Sequence, residues 1–269
     1  MFGLMGHSAT HPCYICLAKK GEDGILDDGA DLRNFKVGRE QLNSLQRTKN
    51  PHKSAKLHGN QLKAPLLIDS DDRKYVDIAK PPTLHLKLAA NHIVDELTKL
   101  WPEFKTFLAE KGIKTSDYFG GNLLEGNDVN KLFKKQKELE EEIPEEYHLF
   151  SKTLGCLQKV VKGCLEFSLD EDYANIISEL KESYRQLMRD FGVSETVKFH
   201  ILTTHIKPVV DQIGRALGES GEQEVEAAHS VFHQIWKKRF FVKYVSAGEE
   251  IYRQQYLKAV KTFNREHLS

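Results

Sequence analysis

The chain has 269 residues, 40% of them hydrophobic and 29% charged, with 39 basic against 39 acidic side chains and a formal net charge of zero. A chain of this length can bury a core without disulfide staples. Its even charge balance excludes a global field that would recruit nucleic acid or an anionic membrane, so any DNA contact must come from local patches. No run of about 18 or more apolar residues is present, and Met1-Phe2-Gly3-Leu4-Met5 lacks the basic start and long apolar stretch of a secretion signal. An intracellular chain with no membrane partner is expected.

Of the four cysteines, Cys13 and Cys16 form a C-x-x-C pair, while Cys156 and Cys164 fall on a helical pattern and are expected as buried thiols. From Lys19 to Pro65 the chain is polar and loop-rich, with one amphipathic helix expected around Val37 to Leu45. Short strands are expected at Leu66-Leu67-Ile68 and Tyr75-Val76-Asp77-Ile78. Beyond Pro81-Pro82 the apolar spacing predicts a helix from about Thr83, placed to cap it, to Leu100. Trp101-Pro102 interrupts this helix, and a shorter one runs on to Gly112, a natural helix stop.

Tyr118-Phe119-Gly120-Gly121-Asn122 reads as a turn, and Asn127 is placed to cap a helix through Leu139. The surface of that helix passes from lysines (Lys131, Lys134, Lys135, Lys137) to glutamates (Glu138, Glu140, Glu141, Glu142). Pro144 suits the first position of the next helix, which carries Leu149 to Leu165. Asp170 to Phe191 forms a further helix stopped by Gly192. Helices over Glu195 to Ile213, bent by Pro208, Glu222 to Lys243 and Glu249 to Arg265 complete a mainly α reading with little or no sheet. We expect one domain, 1–269, with a zinc-turn and loop region over 1–36 and a helical body over 83–269.

Two constellations carry chemistry. Cys13 and Cys16 offer two thiolates from a tight turn, and His200 and His205 offer two imidazoles, so the four can close a tetrahedral zinc site with no position left for substrate. On a regular α-helix residues five apart differ by about 140°, so the two histidines converge only where the helix ends or distorts near Thr204. Otherwise they are ordinary core or surface residues. Glu226, His229 and His233 share one helix face at offsets of three and four, and a partly buried glutamate there calls for a partner or a metal. Glu145-x-x-His148 and Glu226-x-x-His229 also match the Glu-x-x-His spacing of helical di-iron carboxylate bundles, a remote alternative.

Taken in order, Gly6-His7-Ser8, Cys13-x-x-Cys16, Leu84-His85, Tyr118 to Asn122, Gly126-Asn127, Lys131-Leu132, Asp172-Tyr173, Glu182-Ser183-Tyr184-Arg185, His200-x4-His205 and Glu226-x-x-His229 resemble the C-terminal half of an RNase H-like DDE transposase core. The likeness is to Transib-type transposases and the V(D)J recombinase catalytic subunit. It implies a structural Zn²⁺ on Cys13, Cys16, His200 and His205 that anchors a helical insertion, and Glu226 as the last catalytic acid, with His229 and His85 as accessory residues.

It also implies DNA as a partner, a nuclear location, and DNA nicking and strand transfer with Mg²⁺ or Mn²⁺ once a complete catalytic site is formed. Lys131, Lys134, Lys135, Lys237, Lys238 and Arg239 are the candidate DNA-binding residues. The family's two catalytic aspartates precede the C-x-x-C, and only twelve residues precede Cys13 here. The expectation is therefore a fragment or domesticated remnant, inactive alone, whose partner is a second copy or the missing N-terminal half. The alternative is a zinc-stabilised helical module that binds DNA or protein.

Overall fold

A computed structural model describes residues 10–21, 24, 26–46, 73–78, 80–116, 124–220, 232, 234–240 and 249–267. The chain divides into two compact units, Met1–Glu219 and Ser220–Ser269. The expected strand at Leu66 to Ile68 and the turn at Tyr118 to Asn122 lie outside the described residues.

Unit one is helical. Its first helix, α1 (Phe35–Gln46), covers the amphipathic stretch expected there, and the side chain of Asn34 caps it by accepting the Val37 amide at 2.8 Å. Among the described residues no extended strand forms. The closest approach is isolated bridges, among them Cys16 with Leu32, Lys20 with Leu26 and Asn34 with Lys74. The strand expected at Tyr75 to Ile78 is instead a single helical turn, α2 (Tyr75–Ile78). Asp77 reaches back to accept the Lys74 amide at 3.1 Å, the reciprocal half of a helix-start box, and this bond overrides the β-branched residues.

The helix expected over Thr83 to Leu100 is two helices, α3 (Thr83–Lys87) and α4 (Ala90–Leu100), turned at Leu88 and Ala89. Thr83 is not the cap. Pro82 occupies that position without a side-chain bond. The break at Trp101 and the following α5 (Phe104–Glu110) match expectation, and Gly112 takes a φ of 67° just past its end.

Similarly, the helix over Asn127 to Leu139 is broken at Lys135 into α6 (Gly126–Lys134) and α7 (Gln136–Glu142), with Glu125 rather than Asn127 at the cap. Pro144 precedes a single 3₁₀ turn, Glu145–Tyr147, from which α8 (His148–Val160) continues into a π-turn, Val161–Leu165.

The core sits where α8 meets α9 (Tyr173–Phe191). Ile177, Leu180, Tyr184, Leu187 and Met188 recur every three or four residues along α9 and are buried, facing Phe150, Leu154, Leu157 and Val160 of α8. Within this apolar seam the hydroxyls of Thr153 and Ser183 satisfy each other at 2.7 Å. Helix α9 ends at Gly192 in the left-handed region, φ 67°, as its glycine predicts.

The next segment decides the site. Thr196 caps α10 (Val197–His200), a π-turn follows at Ile201–His205, and α11 (Ile206–Ile213) completes it. The departure from α geometry thus lies ahead of Pro208, not at it. Proline has no amide to offer the Thr204 carbonyl four residues back, which favours a widened turn ending there. The Tyr184 and Phe199 rings stack at 3.7 Å and lock α10 onto α9.

In unit two, the described part of the helix expected over Glu222 to Lys243 includes a π-turn at Trp236–Phe240, and α12 (Glu249–His267) is the helix expected near Glu249. Tyr256 of α12 meets the rings of Phe232 and Trp236 at 5.4 and 5.9 Å. Among the described residues no helix is long and apolar enough to cross a membrane.

Candidate metal centre

The C-x-x-C turn is built by its own backbone. The Ile15 amide points at Cys13 Sγ and the Ala18 amide at Cys16 Sγ, both at 3.4 Å, so each sulfur sits in a partial positive field before any cation arrives. The turn is then pinned from Arg33. Its backbone amide donates to the Ile15 carbonyl at 2.8 Å, and its guanidinium donates to the carbonyls of Cys13 (2.8 Å), Cys16 (2.9 Å) and His11 (3.1 Å). Arg33 is only 2% exposed. A planar fork of fixed donors suits this task, because three carbonyls must be held at once.

The imidazoles arrive from the π-turn. Amide pairing from Ile206 back to Ile201 spans five residues, which brings His200 and His205 onto nearly the same face. Their ring centroids lie 5.0 Å apart. This is the distortion near Thr204 that convergence of the two histidines requires.

One ligand atom from each of Cys13, Cys16, His200 and His205 lies within 4.8 Å of every other, and all four residues are buried. His200 Nε2 stands 3.3 Å from Cys16 Sγ. His205 Nε2 and His200 Nδ1 are buried and make no hydrogen bond. Four soft or borderline donors with an orphaned imidazole nitrogen form a set able to hold a metal ion.

The electrostatics point the same way. The bond shared by the two thiols pushes Cys13 far below its ordinary value and Cys16 above it. Burial opposes the drop at Cys13, and His200 and His205 assist it. A metal taken up by this pair would be bound by thiolates, so its capture would release protons.

A second cluster adjoins the first, with Asp28, Glu195 and His200 also within 4.8 Å of one another. Asp28 is engaged by Lys181 at 2.7 Å, by Arg185, and by the Thr204 hydroxyl at 3.1 Å. Burial works against its charge, yet Lys181 and Arg185 hold its carboxyl below the usual range. The loop that follows the C-x-x-C is thereby clamped to both α9 and the π-turn.

The other sequence candidates fall elsewhere. Glu226, His229 and His233 lie outside the described residues. His85 is exposed on α3 and is not in either cluster. Glu145 is exposed, and the His148 ring bonds the Ile143 carbonyl at 3.1 Å, so neither faces a buried metal site. In the lysine run, Lys131 pairs with Asp128 and Lys135 with Glu138, each at 2.7 Å, while Lys134 is exposed. Lys237, Lys238 and Arg239 are exposed on the second unit's π-turn.

Sequence reasoning missed Arg33, Asp28 and Glu195. Arg33 lies in a polar stretch where an arginine is unremarked, and the only signal is its place opposite the C-x-x-C across a short loop. Comparison with known proteins gives the chain no family: no family model matches it, and no curated protein matches it.

Proposed function

We propose that this chain is the zinc-anchored helical part of a DDE transposase or recombinase core of the Transib type, working on DNA in the nucleus. The observation that supports this reading is the meeting of a C-x-x-C pair with an H-x4-H pair far from it in the chain, the pairing that the resemblance implies. Tetrahedral zinc, with bonds of about 2.3 Å to sulfur and about 2.0 Å to nitrogen, sets a neighbouring sulfur and nitrogen about 3.5 Å apart. The 3.3 Å between Cys16 Sγ and His200 Nε2 is close to such an edge. With two thiolates and two imidazoles every position on the ion is taken. The metal is then structural, binding the N-terminal turn to the helices.

In this reading Glu226 is the last acid of the triad. Nicking and joining of DNA by two Mg²⁺ or Mn²⁺ ions needs several carboxylates to position both ions, and one glutamate cannot do so. In this reading Glu226 needs further carboxylates before DNA can be cut or joined. A second reading, a zinc-stabilised module that only binds DNA or protein, draws on the exposed Lys237, Lys238 and Arg239.

Metal analysis of the purified protein is expected to find close to one zinc per chain, lost in a Cys13→Ser, Cys16→Ser double variant. Full occupancy in that variant overturns the centre. Incubated with Mg²⁺ or Mn²⁺ and duplex DNA carrying candidate terminal repeats, the polypeptide is expected to leave the DNA uncut. Nicking that disappears in Glu226→Gln would mean that its residues do build an active site. Salt-dependent duplex binding weakened by replacing Lys237 and Lys238 would favour the binding module.

A further inference from the structure

We infer that Glu195 is a positioning residue of the metal centre, whose carboxylate closes on Nδ1 of His200 and accepts its proton when Nε2 of the same ring holds a metal. The inference rests on the reading of Cys13, Cys16, His200 and His205 as a zinc site. An imidazole that gives one nitrogen to a metal carries its proton on the other, and that proton needs an acceptor when it is buried. His200 is fully buried, its Nε2 is turned toward Cys16, and its Nδ1 makes no hydrogen bond. Leaving such a donor unmatched is costly.

Two carboxylates stand within 4.8 Å of His200. Asp28 is already engaged by Lys181, Arg185 and the Thr204 hydroxyl. Glu195, 8% exposed, accepts the Leu26 amide through Oε2 at 2.7 Å and retains lone pairs for a second donor. It sits directly before the cap of α10, so its backbone is held by the helix that presents His200. One carboxylate would thereby join the loop after the C-x-x-C, through Leu26, to the imidazole that closes the site. A second cation between Asp28 and Glu195 is disfavoured, because Lys181 and Arg185 already neutralise that spot.

The test compares wild type with Glu195→Gln, which keeps an acceptor oxygen, and Glu195→Ala, which removes it. Zinc affinity is measured by competition with a chelator of known strength, and the His200 ring is followed by nitrogen-15 NMR of the zinc-loaded protein. Glu195→Ala should lose roughly 10- to 100-fold in affinity, with Glu195→Gln recovering part of it. Wild-type His200 should show the Nδ1–H tautomer, with a slowly exchanging proton that exchanges quickly in Glu195→Ala. A merely structural role at Leu26 would not move that proton. Equal affinity in all three proteins, an Nε2–H tautomer at His200, or a second zinc equivalent lost with Glu195 overturns the inference alone. A wild type that binds no zinc overturns the zinc reading together with it.

Discussion

Cys16 and His200 are separated by 184 positions in the chain, and their Sγ and Nε2 atoms lie 3.3 Å apart. A contact of that kind is a weak tether on its own, but a metal shared with Cys13 and His205, as proposed, would turn it into a bond between the ends of the first unit. The binding free energy of such an ion would then be folding free energy for everything in between.

Removal of the ion should therefore be felt by the whole first unit. Dialysis against a strong chelator is expected to lower the melting temperature, and added Zn²⁺ to restore it in a concentration-dependent way, since stabilisation grows with ligand excess. His205→Ala should abolish the zinc response. A melting curve indifferent to both chelator and zinc would reject the centre.

Thiol chemistry gives an independent count. All four cysteines are buried and unpaired by disulfides, and burial pushes Cys164 up to about 12. With zinc bound, no cysteine should react quickly with a thiol reagent at pH 8. Chelation should expose two, assigned by mass spectrometry to Cys13 and Cys16, and denaturant all four.

Arg33 holds three carbonyls of the metal turn. Arg33→Ala should cost at least about 2 kcal/mol of stability, because it leaves buried acceptors unmatched. Arg33→Lys should recover little, because an ammonium cannot reproduce the fork. Denaturant unfolding of the zinc-loaded variants decides this.

In the seam between α8 and α9, Leu157 has no exposed surface. Leu157→Ala should destabilise the first unit by about 2–5 kcal/mol through lost burial and the cavity left behind. Chemical denaturation monitored by far-UV circular dichroism should show the midpoint falling with the slope unchanged.

Stability should also fall in alkali. Burial raises Cys164 to about 12, Tyr75 to about 12, and Tyr184 higher still. Each raised group favours the folded state fully below its unfolded value, about 8.5 for cysteine and about 10 for tyrosine. That contribution is lost as pH climbs toward the folded value. Melting temperatures between pH 8 and 12 should decline, and more gently in Cys164→Ala across its own window.

Much of the helical body was legible in the sequence, because Pro102, Gly112 and Gly192 punctuate it and the apolar spacing of α9 is regular. The breaks at Leu88–Ala89 and Lys135 were not, since neither place carries a glycine or proline. The four residues of the candidate metal centre were legible as types and spacing, and so was the need for a distortion near Thr204. The form of that distortion was not, because a π-turn has no periodicity of its own over five residues and hides inside an ordinary amphipathic pattern. Arg33 and Glu195 stayed hidden because what sets them apart is burial, and polar residues in polar segments give no sign of it.

The turn at Ile201–His205 makes the segment sensitive to counting. A widened turn holds one residue more than an α turn, so deleting a single residue between His200 and His205 would let an unbroken helix run through. In that helix the two histidines would stand four apart, about 40° around the axis and still on one face. Substitutions at Leu202 or Thr203 can be absorbed by repacking. An unbroken α-helix at the present length cannot, since it would set the imidazoles about 140° apart, and the pairing is thus encoded in the match between turn geometry and spacing as much as in the identity of the four residues.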